Sequence, residues 1–495
     1  MRTAHSVKTV RAAEQALMSR LPDGALMQRA AAGLAASCAE LLTSASATGR
    51  RGGRGVYGSR VTALIGSGDN GGDALYAAAR LARRGAGVTA LLLSPDRTHP
   101  GGLAALRAAG GSARAAGEDP AADTALVHRA DLVLDGIVGI GGSGGLRPAA
   151  VPLAAAARAS AAPVVAVDLP SGVEADSGEV RGEAVRADLT VTFGTHKPGL
   201  LIDPGRSHAG ATRLIDIGLG PELPDEAELE ALQYADVARL LPRPAAESDK
   251  YRRGVVGVIA GSARYPGAAV LAVAGALRGG AGAVRYVGPA ADAVIARFPE
   301  VLVSVGSPGK AGRVQSWVVG PGIGDDAEAV DEVLASDVPV LVDADGLRLS
   351  QRGAVRARRA PTLLTPHAGE AAALLGTERR HVEAARLASV RELAARYGAS
   401  VLLKGSTTLV AAPEGGAVRV NPTGTPWLAT AGSGDVLSGL AGSLLAAGLG
   451  AVDAGSTAAY LHGLAGRFAA DGAPAGAHDV ADCIPRAWRD VCESA

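Results

Sequence analysis

The chain has 495 residues, 48% hydrophobic and 20% charged, with 49 basic residues balanced by 49 acidic ones. That length predicts two or three domains, and the composition excludes wholesale disorder. A formal net charge of zero removes the electrostatic basis for nucleic acid or an anionic membrane surface as the main partner.

The opening MRTAHSVKTV lacks the apolar core of a signal peptide. The uncharged run between Asp435 and Asp453 contains several glycines and is short for a span, so it reads as a buried helix. Cys38, Cys483 and Cys492 have no metal-ligand spacing and fit free thiols in a reducing cytoplasm. Only five of the 49 basic residues are lysines: Lys8, Lys197, Lys250, Lys310 and Lys404. A lysine kept against that bias is a candidate for its compact, titratable ammonium.

The segment before Arg60 is helical and alanine-rich, and is expected to pack across a sheet without chemistry of its own. The patch Arg50, Arg51, Arg54 and Arg60 reads as a solvated loop. Apolar runs at 61–65, 88–93, 131–135 and 164–168 read as strands, separated by alanine-rich helices at 73–84, 101–109 and 148–159. Such alternation predicts a parallel sheet covered on both faces.

Three strand ends carry chemistry. The first runs into GSGDNGGD (66–73), where Gly66, Gly68 and Gly71 satisfy G-x-G-x-x-G. Asp69 and Asp73 nevertheless sit where a pyrophosphate needs positive helix-end potential, so this loop suits a cation or a sugar hydroxyl better than a dinucleotide. Asp135 leads into the glycine loop 136–145, and Asp168 opens DLPSG (168–172). Ligands bind at the carboxyl ends of strands in open parallel sheets, so Asp73, Asp135 and Asp168 are expected to converge on one crevice. Lys197, in TFGTHKPG (192–199), follows another strand and offers a cation or proton donor beside them; His196 reads as structural.

From Gly218 to Arg253 the composition turns rich in proline and acidic residues, as in a linker and the entry to a second domain. Beyond it, strands are expected near 255–260, 283–287, 316–320, 338–343, 361–365 and 400–404. Helices are expected near 267–280, 325–335, 383–397, 433–447 and 453–470. The sharpest signal is NPTG (421–424) followed by ATAGSGDVLSG (429–439). A small-residue turn opening a helix presents unpaired N–H groups to a transferring phosphate, and Asp435 is placed to take the proton of an attacking hydroxyl. Around it stand GSARYPGA (261–268), GPGIG (320–324), Asp343 and Asp345, LTPHAGE (364–370) and KGSTT (404–408). Asp343 and Asp345 suit either Mg²⁺ or local turns.

GSGDNGGD, DGIVGIGGSGG, VDLPSG and TFGTHKPG together resemble the NAD(P)H-hydrate epimerase family over residues 10–218. The resemblance implies a Rossmann-like three-layer α/β/α domain (1–220). It also implies a K⁺ site at Asn70, Asp135 and Ser171. Substrate contacts are implied at Asp69, Asn70, Gly71, Gly72, Asp73, Gly139, Ile140, Gly141, Gly142, Ser143, Gly144, Gly145 and Asp168, with Asp168 and Lys197 handling protons. The family usually has Asn where Asp69 stands, which adds a charge near bound phosphates.

After a linker (221–233), residues 234–495 resemble the ribokinase-like α/β domain of ADP- or ATP-dependent NAD(P)H-hydrate dehydratases. The implied contacts are Ala268, Gly324, His367 and Asp435 to the hydrated nicotinamide nucleotide. Lys404, Gly405, Ser406, Thr407, Thr408 and Gly434 are implied to meet the adenine nucleotide, with Mg²⁺ as cofactor and Asp435 as base. Thr425 stands where the family often has Asn, and can keep one hydrogen bond. The expected function is metabolite repair of both hydrate epimers, in the cytoplasm, by a chain with no nucleic-acid or membrane partner; homo-oligomerisation is compatible with it. The alternative is a vitamin-precursor kinase fused to a non-catalytic nucleotide-binding module.

Overall fold

The computed structural model describes residues 1–44, 55–304 and 306–494. The chain divides into two compact units, one of Thr3–Glu228 and one of Met1–Arg2 with Leu229–Ala495. Arg50, Arg51 and Arg54 lie outside the described residues. Arg60 is not part of a free loop: it opens a strand and pairs with Asp131 through Nε at 3.2 Å.

In the first unit, strands β1 (Arg60–Ile65), β2 (Gly87–Leu92), β3 (Ser112–Ala115), β4 (Leu132–Gly136), β5 (Val164–Val167), β6 (Leu189–Phe193) and β7 (Ala211–Ile215) form a parallel sheet. Their order is β3-β2-β1-β4-β5-β6-β7. β4 and β5 are buried along their whole length, which is why Leu132–Leu134 and Val164–Val167 read as apolar runs. On one face, the helices Val7–Met18, Ala25–Thr43 and Asp69–Arg83 pack Val10, Leu34 and Leu75 against Val61, Leu134 and Val165. On the other, Val127 and Leu153 cover Leu64 and Val133.

Strand order reverses between β1 and β4, and there the two chains come unusually close. A Cβ on Gly66 would lie 1.8 Å from the carbonyl oxygen of Ile137. The helix expected from residue 73 begins earlier, at Asp69. Gly68 adopts a φ of 95°, so the chain turns straight from β1 into the helix, and residues 69–73 form its first turn rather than a loop.

In the second unit the strands are β8 (Leu229–Ala231), β9 (Val255–Ile259), β10 (Ala283–Val287), β11 (Leu302–Ser304), β12 (Ser316–Val319), β13 (Val340–Val342), β14 (Thr362–Leu364), β15 (Ser400–Leu403), β16 (Thr408–Ala411) and β17 (Val418–Asn421). Their order is β8-β17-β16-β15-β14-β13-β12-β9-β10-β11, parallel from β15 to β11, with β16 antiparallel to both its neighbours. β8 thus lies within the stretch read as a linker. The helix expected over 383–397 is two, Arg379–Ala384 and Arg386–Tyr397, because Ala385 leaves helical geometry at φ −126°.

The helix Ser433–Ala446 carries the GSGD turn and is buried from Val436 onward, as the uncharged run after Asp435 predicts. It is fixed by close approach to the helix Pro266–Arg278. A Cβ on Gly439 would fall 1.9 Å from the Ala272 carbonyl oxygen, and one on Gly275 would fall 2.1 Å from that of Val436. Among the described residues no helix is long and apolar enough to cross a membrane.

Candidate active sites

The N-terminal site is a cleft of about 940 Å³ at the β1/β4 reversal. Asp69, Asn70, Asp73, the whole stretch Gly139–Gly145 and Asp168 line it, so three strand ends meet there, but Asp135, expected among the converging carboxyls, lies buried and is not part of the lining. Gly71 and Gly72 are buried behind this lining, and their lack of a side chain lets the first helical turn sit close to Gly66 and Met27.

Asp168 follows β5 with a φ of 65°, a conformation a non-glycine residue adopts only when its surroundings enforce it. Three donors do so. Its Oδ1 accepts from Lys197 Nζ at 2.5 Å, Thr192 Oγ1 at 2.9 Å and the Phe193 N–H at 3.3 Å. Lys197 is 1% exposed and also donates to Thr192 Oγ1 and the Phe193 carbonyl, both at 3.0 Å. A buried ammonium with three acceptors is a built feature of the site.

Asp135 is fully buried. Its carboxylate accepts from Ser171 Oγ at 2.6 Å and the Ser171 N–H at 2.8 Å. Burial nevertheless pushes its carboxyl up to about 6, against those hydrogen bonds. Ser171 Oγ also accepts from the Val138 N–H at 2.9 Å and lies 3.3 Å from its carbonyl oxygen. Asn70 packs beside Gly139, its amide nitrogen buried without a partner among the described residues.

Two other groups carry no mark in the sequence. Glu14 and Arg11, on the helix Val7–Met18, line the same cleft, so the N-terminal segment brings charged groups to it. Burial raises the Glu14 carboxyl, with Lys197 opposing and Asp168 and Asp69 adding to the rise. Nothing in a solvated-looking helix marks a residue that reaches the end of a distant sheet.

In the C-terminal unit, Lys404 directly follows β15 and donates from Nζ to Asp343 Oδ1 at 2.7 Å, with Glu370 Oε2 at 3.9 Å. Ser438 Oγ donates to Asp343 Oδ2 at 2.7 Å. A Cβ on Gly434 would lie 3.4 Å from Lys404 Nζ, so the GSGD turn and KGSTT meet. Burial works against the Lys404 charge, but Asp343 and Glu370 outweigh it and hold the ammonium above its usual range. Asp435, in the first turn of its helix, is pushed up to about 7 by burial and then by Asp343, with Lys404 opposing and Glu370 adding.

Asp343 is therefore taken up by Lys404 and Ser438, and Asp345 accepts from the Gly324 N–H at 3.0 Å. Gly322 lies against the Ala268 methyl, and a side chain at Gly324 would meet open space. His367 caps the helix Ala368–Leu375, its Nδ1 accepting from the Gly369 and Glu370 N–H groups at 3.0 and 3.1 Å. Its side chain is 59% exposed, with Nε2 standing 3.5 Å from Glu370 Oε1. Gly405 and Ser406 are exposed, whereas Thr407 is fully buried, its carbonyl accepting from Arg386 Nη2. Thr408 already belongs to β16.

Arg386 was not foreseen. It is 4% exposed, and its Nη2 donates to the carbonyls of Leu403 at 3.3 Å, Lys404 at 3.0 Å and Thr407 at 3.0 Å. Gly405 lies against the guanidinium. The KGSTT turn is thus held from behind by one buried arginine.

Two α/β units, one with a cleft bearing carboxylates and a buried lysine at a strand-order reversal and one with a glycine turn beside a lysine and a raised carboxyl, have the sites of a two-site enzyme of small-molecule chemistry. Residues 256–486 match the family model of NAD(P)H-hydrate dehydratase, and residues 23–199 match that of the YjeF-related protein N-terminus. The chain is 51% identical to the bifunctional NAD(P)H-hydrate repair enzyme Nnr of Mycobacterium leprae, covering 95% of this chain and 94% of the relative. It is 37% identical to the enzyme of that name from Corynebacterium glutamicum, covering 86% and 89%. The chain belongs to the family of bifunctional NAD(P)H-hydrate repair enzymes. Among solved structures, it is similar to the ADP/ATP-dependent NAD(P)H-hydrate dehydratase from Bacillus subtilis co-crystallized with ATP/Mg²⁺, at 29% identity and a TM-score of 0.49, covering 53% of this chain and 99% of that one.

Proposed function

We propose that the N-terminal unit interconverts the two epimers of hydrated NAD(P)H, and that the C-terminal unit dehydrates one of them at the expense of ADP or ATP. The observation that carries this reading is the pairing of two different sites in one chain, Asp168–Lys197 in a nucleotide-sized cleft and Asp435 beside Lys404 at a glycine turn.

In the C-terminal site, Asp435 takes the proton of the ring hydroxyl as that oxygen attacks the terminal phosphate. The N–H groups of Gly432, Ser433 and Gly434 receive the transferred phosphoryl, and Lys404 with the 405–408 turn holds the nucleotide phosphates. Hydroxide is a poor leaving group and phosphate a good one. Departure of the phosphate with loss of a ring proton restores NAD(P)H. Ala268, Gly324 and the open face of His367 contact the hydrated ring. Mg²⁺ would neutralise charge on the phosphates; Asp343 and Asp345 already have protein donors, so it would enter with the nucleotide.

In the N-terminal site, Asp168 and Lys197 handle protons while residues 69–73 and 139–145 position the substrate. The oxygens of Asp135, Ser171 and the Val138 carbonyl, with Asn70 beside them, suit a hard monovalent cation, and the raised Asp135 carboxyl marks a negative charge short of compensation. K⁺ would supply that compensation and fix the 136–145 loop. Three thiols without disulfide partners fit a reducing cytoplasm.

The test mixes purified protein with both epimers of hydrated NADH, Mg²⁺ and K⁺, adds ADP or ATP in turn, and follows NADH absorbance. Recovery of both epimers is expected, lost for one in Asp168→Ala and for both in Asp435→Ala. Recovery of one epimer by the intact chain would reduce the N-terminal unit to a binding module. A stable phosphorylated product would make the C-terminal unit a kinase.

A further inference from the structure

The N-terminal cleft holds more carboxyls than its buried ammonium can serve. Glu14, Asp69, Asp73 and Asp168 all line it, and Lys197 is committed to Asp168. Two of these carboxyls are built in opposite ways. Asp168 receives three donors on Oδ1, which solvate a negative charge. Asp73 has the reverse environment: its Oδ1 is buried and accepts no hydrogen bond among the described residues. A carboxylate oxygen left so would carry the full cost of desolvation, whereas a protonated carboxyl needs only an acceptor in front of it. Burial, then Asp168, Asp69 and Glu14, hold the Asp73 carboxyl well above the usual range, with Lys197 opposing.

Placement matters as much as environment. Asp73 comes from the helix after β1 and Asp168 from the turn after β5, and β4 lies between those two strands. The two carboxyls therefore flank the crevice above β4. Groups whose surroundings favour opposite protonation states, set on either side of a reacting centre, are the pattern of an acid and base pair.

We propose that Asp73 is a catalytic acid of the epimerase site, donating its proton to the departing substrate hydroxyl while Asp168 serves the return of water. This rests on the epimerase reading above. Water adds to an enamine with its hydroxyl on the carbon bonded to nitrogen. The carbon–oxygen bond breaks as Asp73 gives up its proton, water leaves, and the ring nitrogen lone pair forms a C=N⁺ bond. Water then adds to the other face, the C=N⁺ electrons return to nitrogen, and Asp168 takes the released proton. The pair exchanges that proton with solvent before the next forward turnover, or runs the roles in reverse for the opposite epimer.

The test is Asp73→Asn in the full chain, with K⁺ present and adenine nucleotide absent so that only epimer interconversion is read, by chromatographic separation of the two epimers. The expected result is a fall in kcat of about 10²–10⁴-fold, with KM within about threefold of the wild type. Asp73→Glu should bind the hydrate and recover part of the rate. A raised KM with kcat retained would make Asp73 a binding contact only and overturn the proposal. If Asp73→Asn does not fold, Asp73→Glu decides: intact binding with slowed turnover supports the role, and full turnover overturns it. A wild-type chain that dehydrates one epimer yet never interconverts them would overturn the epimerase reading itself, a result separable from an active Asp73→Asn variant.

Discussion

Asp435→Asn should abolish dehydration and, near and above neutral pH, stabilise the C-terminal unit. Burial first, then Asp343, carries the Asp435 carboxyl from 3.8 to about 7, with Lys404 opposing and Glu370 adding. A carboxyl whose pKa is higher folded than unfolded holds more protons in the folded state between those two values. Stability therefore falls as pH rises through that interval, and the loss is complete above the folded value. Each pH unit costs about 1.4 kcal/mol, so the wild type carries a penalty of about 4 kcal/mol by pH 8, an upper figure if solvent relaxes around the partly exposed group. Asn has nearly the same shape and cannot ionise. The variant and wild type should match near pH 4 and diverge by about 2–4 kcal/mol at pH 8, a melting difference on the order of 10 °C for a unit of this size. Scanning calorimetry at half-unit pH steps measures it. Wild-type dehydration should rise with pH through a limb near 7, where Asp435 becomes the base, and the variant should lose about 10²–10⁴-fold in rate. A melting difference that stays constant from pH 5 to 8 would refute the reasoning, since only ionisation of this carboxyl makes it grow.

Three further outcomes are expected. Lys197→Met leaves Asp168, Thr192 and the Phe193 carbonyl without their shared donor, and should destabilise the N-terminal unit by about 3–5 kcal/mol. Urea unfolding checks this, and Asp168→Asn in the same chain should regain part of the loss if the uncompensated carboxylate is its source. Gly66→Ala drives a methyl into the Ile137 carbonyl and should cost more than about 3 kcal/mol. Epimerisation should fail while dehydration by the same preparation continues; normal epimerisation would show that β1 and β4 can separate. Arg386→Lys cannot reach the carbonyls of Leu403, Lys404 and Thr407 together, and should raise the nucleotide KM by about tenfold with little change in kcat. An unchanged KM would remove Arg386 from any part in positioning the turn.

What the sequence made legible and what it hid follow from how each residue reaches its site. Asp135, Asp168 and Asp435 could be read because each stands where an apolar run ends or a small-residue turn begins, so chain position alone puts it at a strand or helix end. The parallel α/β architecture was legible for the same reason, since strands buried on both faces, such as β5 and β9, must read as unbroken apolar runs. Residues 69–73 misled because paired glycines favour loops locally. Their helical turn comes from tertiary packing, in which Gly71 sits against Gly66 and Gly72 against Met27 and His99. Glu14, Arg11 and Arg386 stayed hidden because their roles depend on where a helix is laid, and helix periodicity reports which face is apolar without saying what lies opposite the other face. Asp73 falls between the two cases. Its presence at the crevice was legible from the motif, but its missing hydrogen bond was not, because an unmet oxygen exists only relative to donors that folding placed elsewhere. The acid–base assignment of such a cleft thus depends on the donor that Lys197 gives to Asp168 and that nothing gives to Asp73 Oδ1 among the described residues.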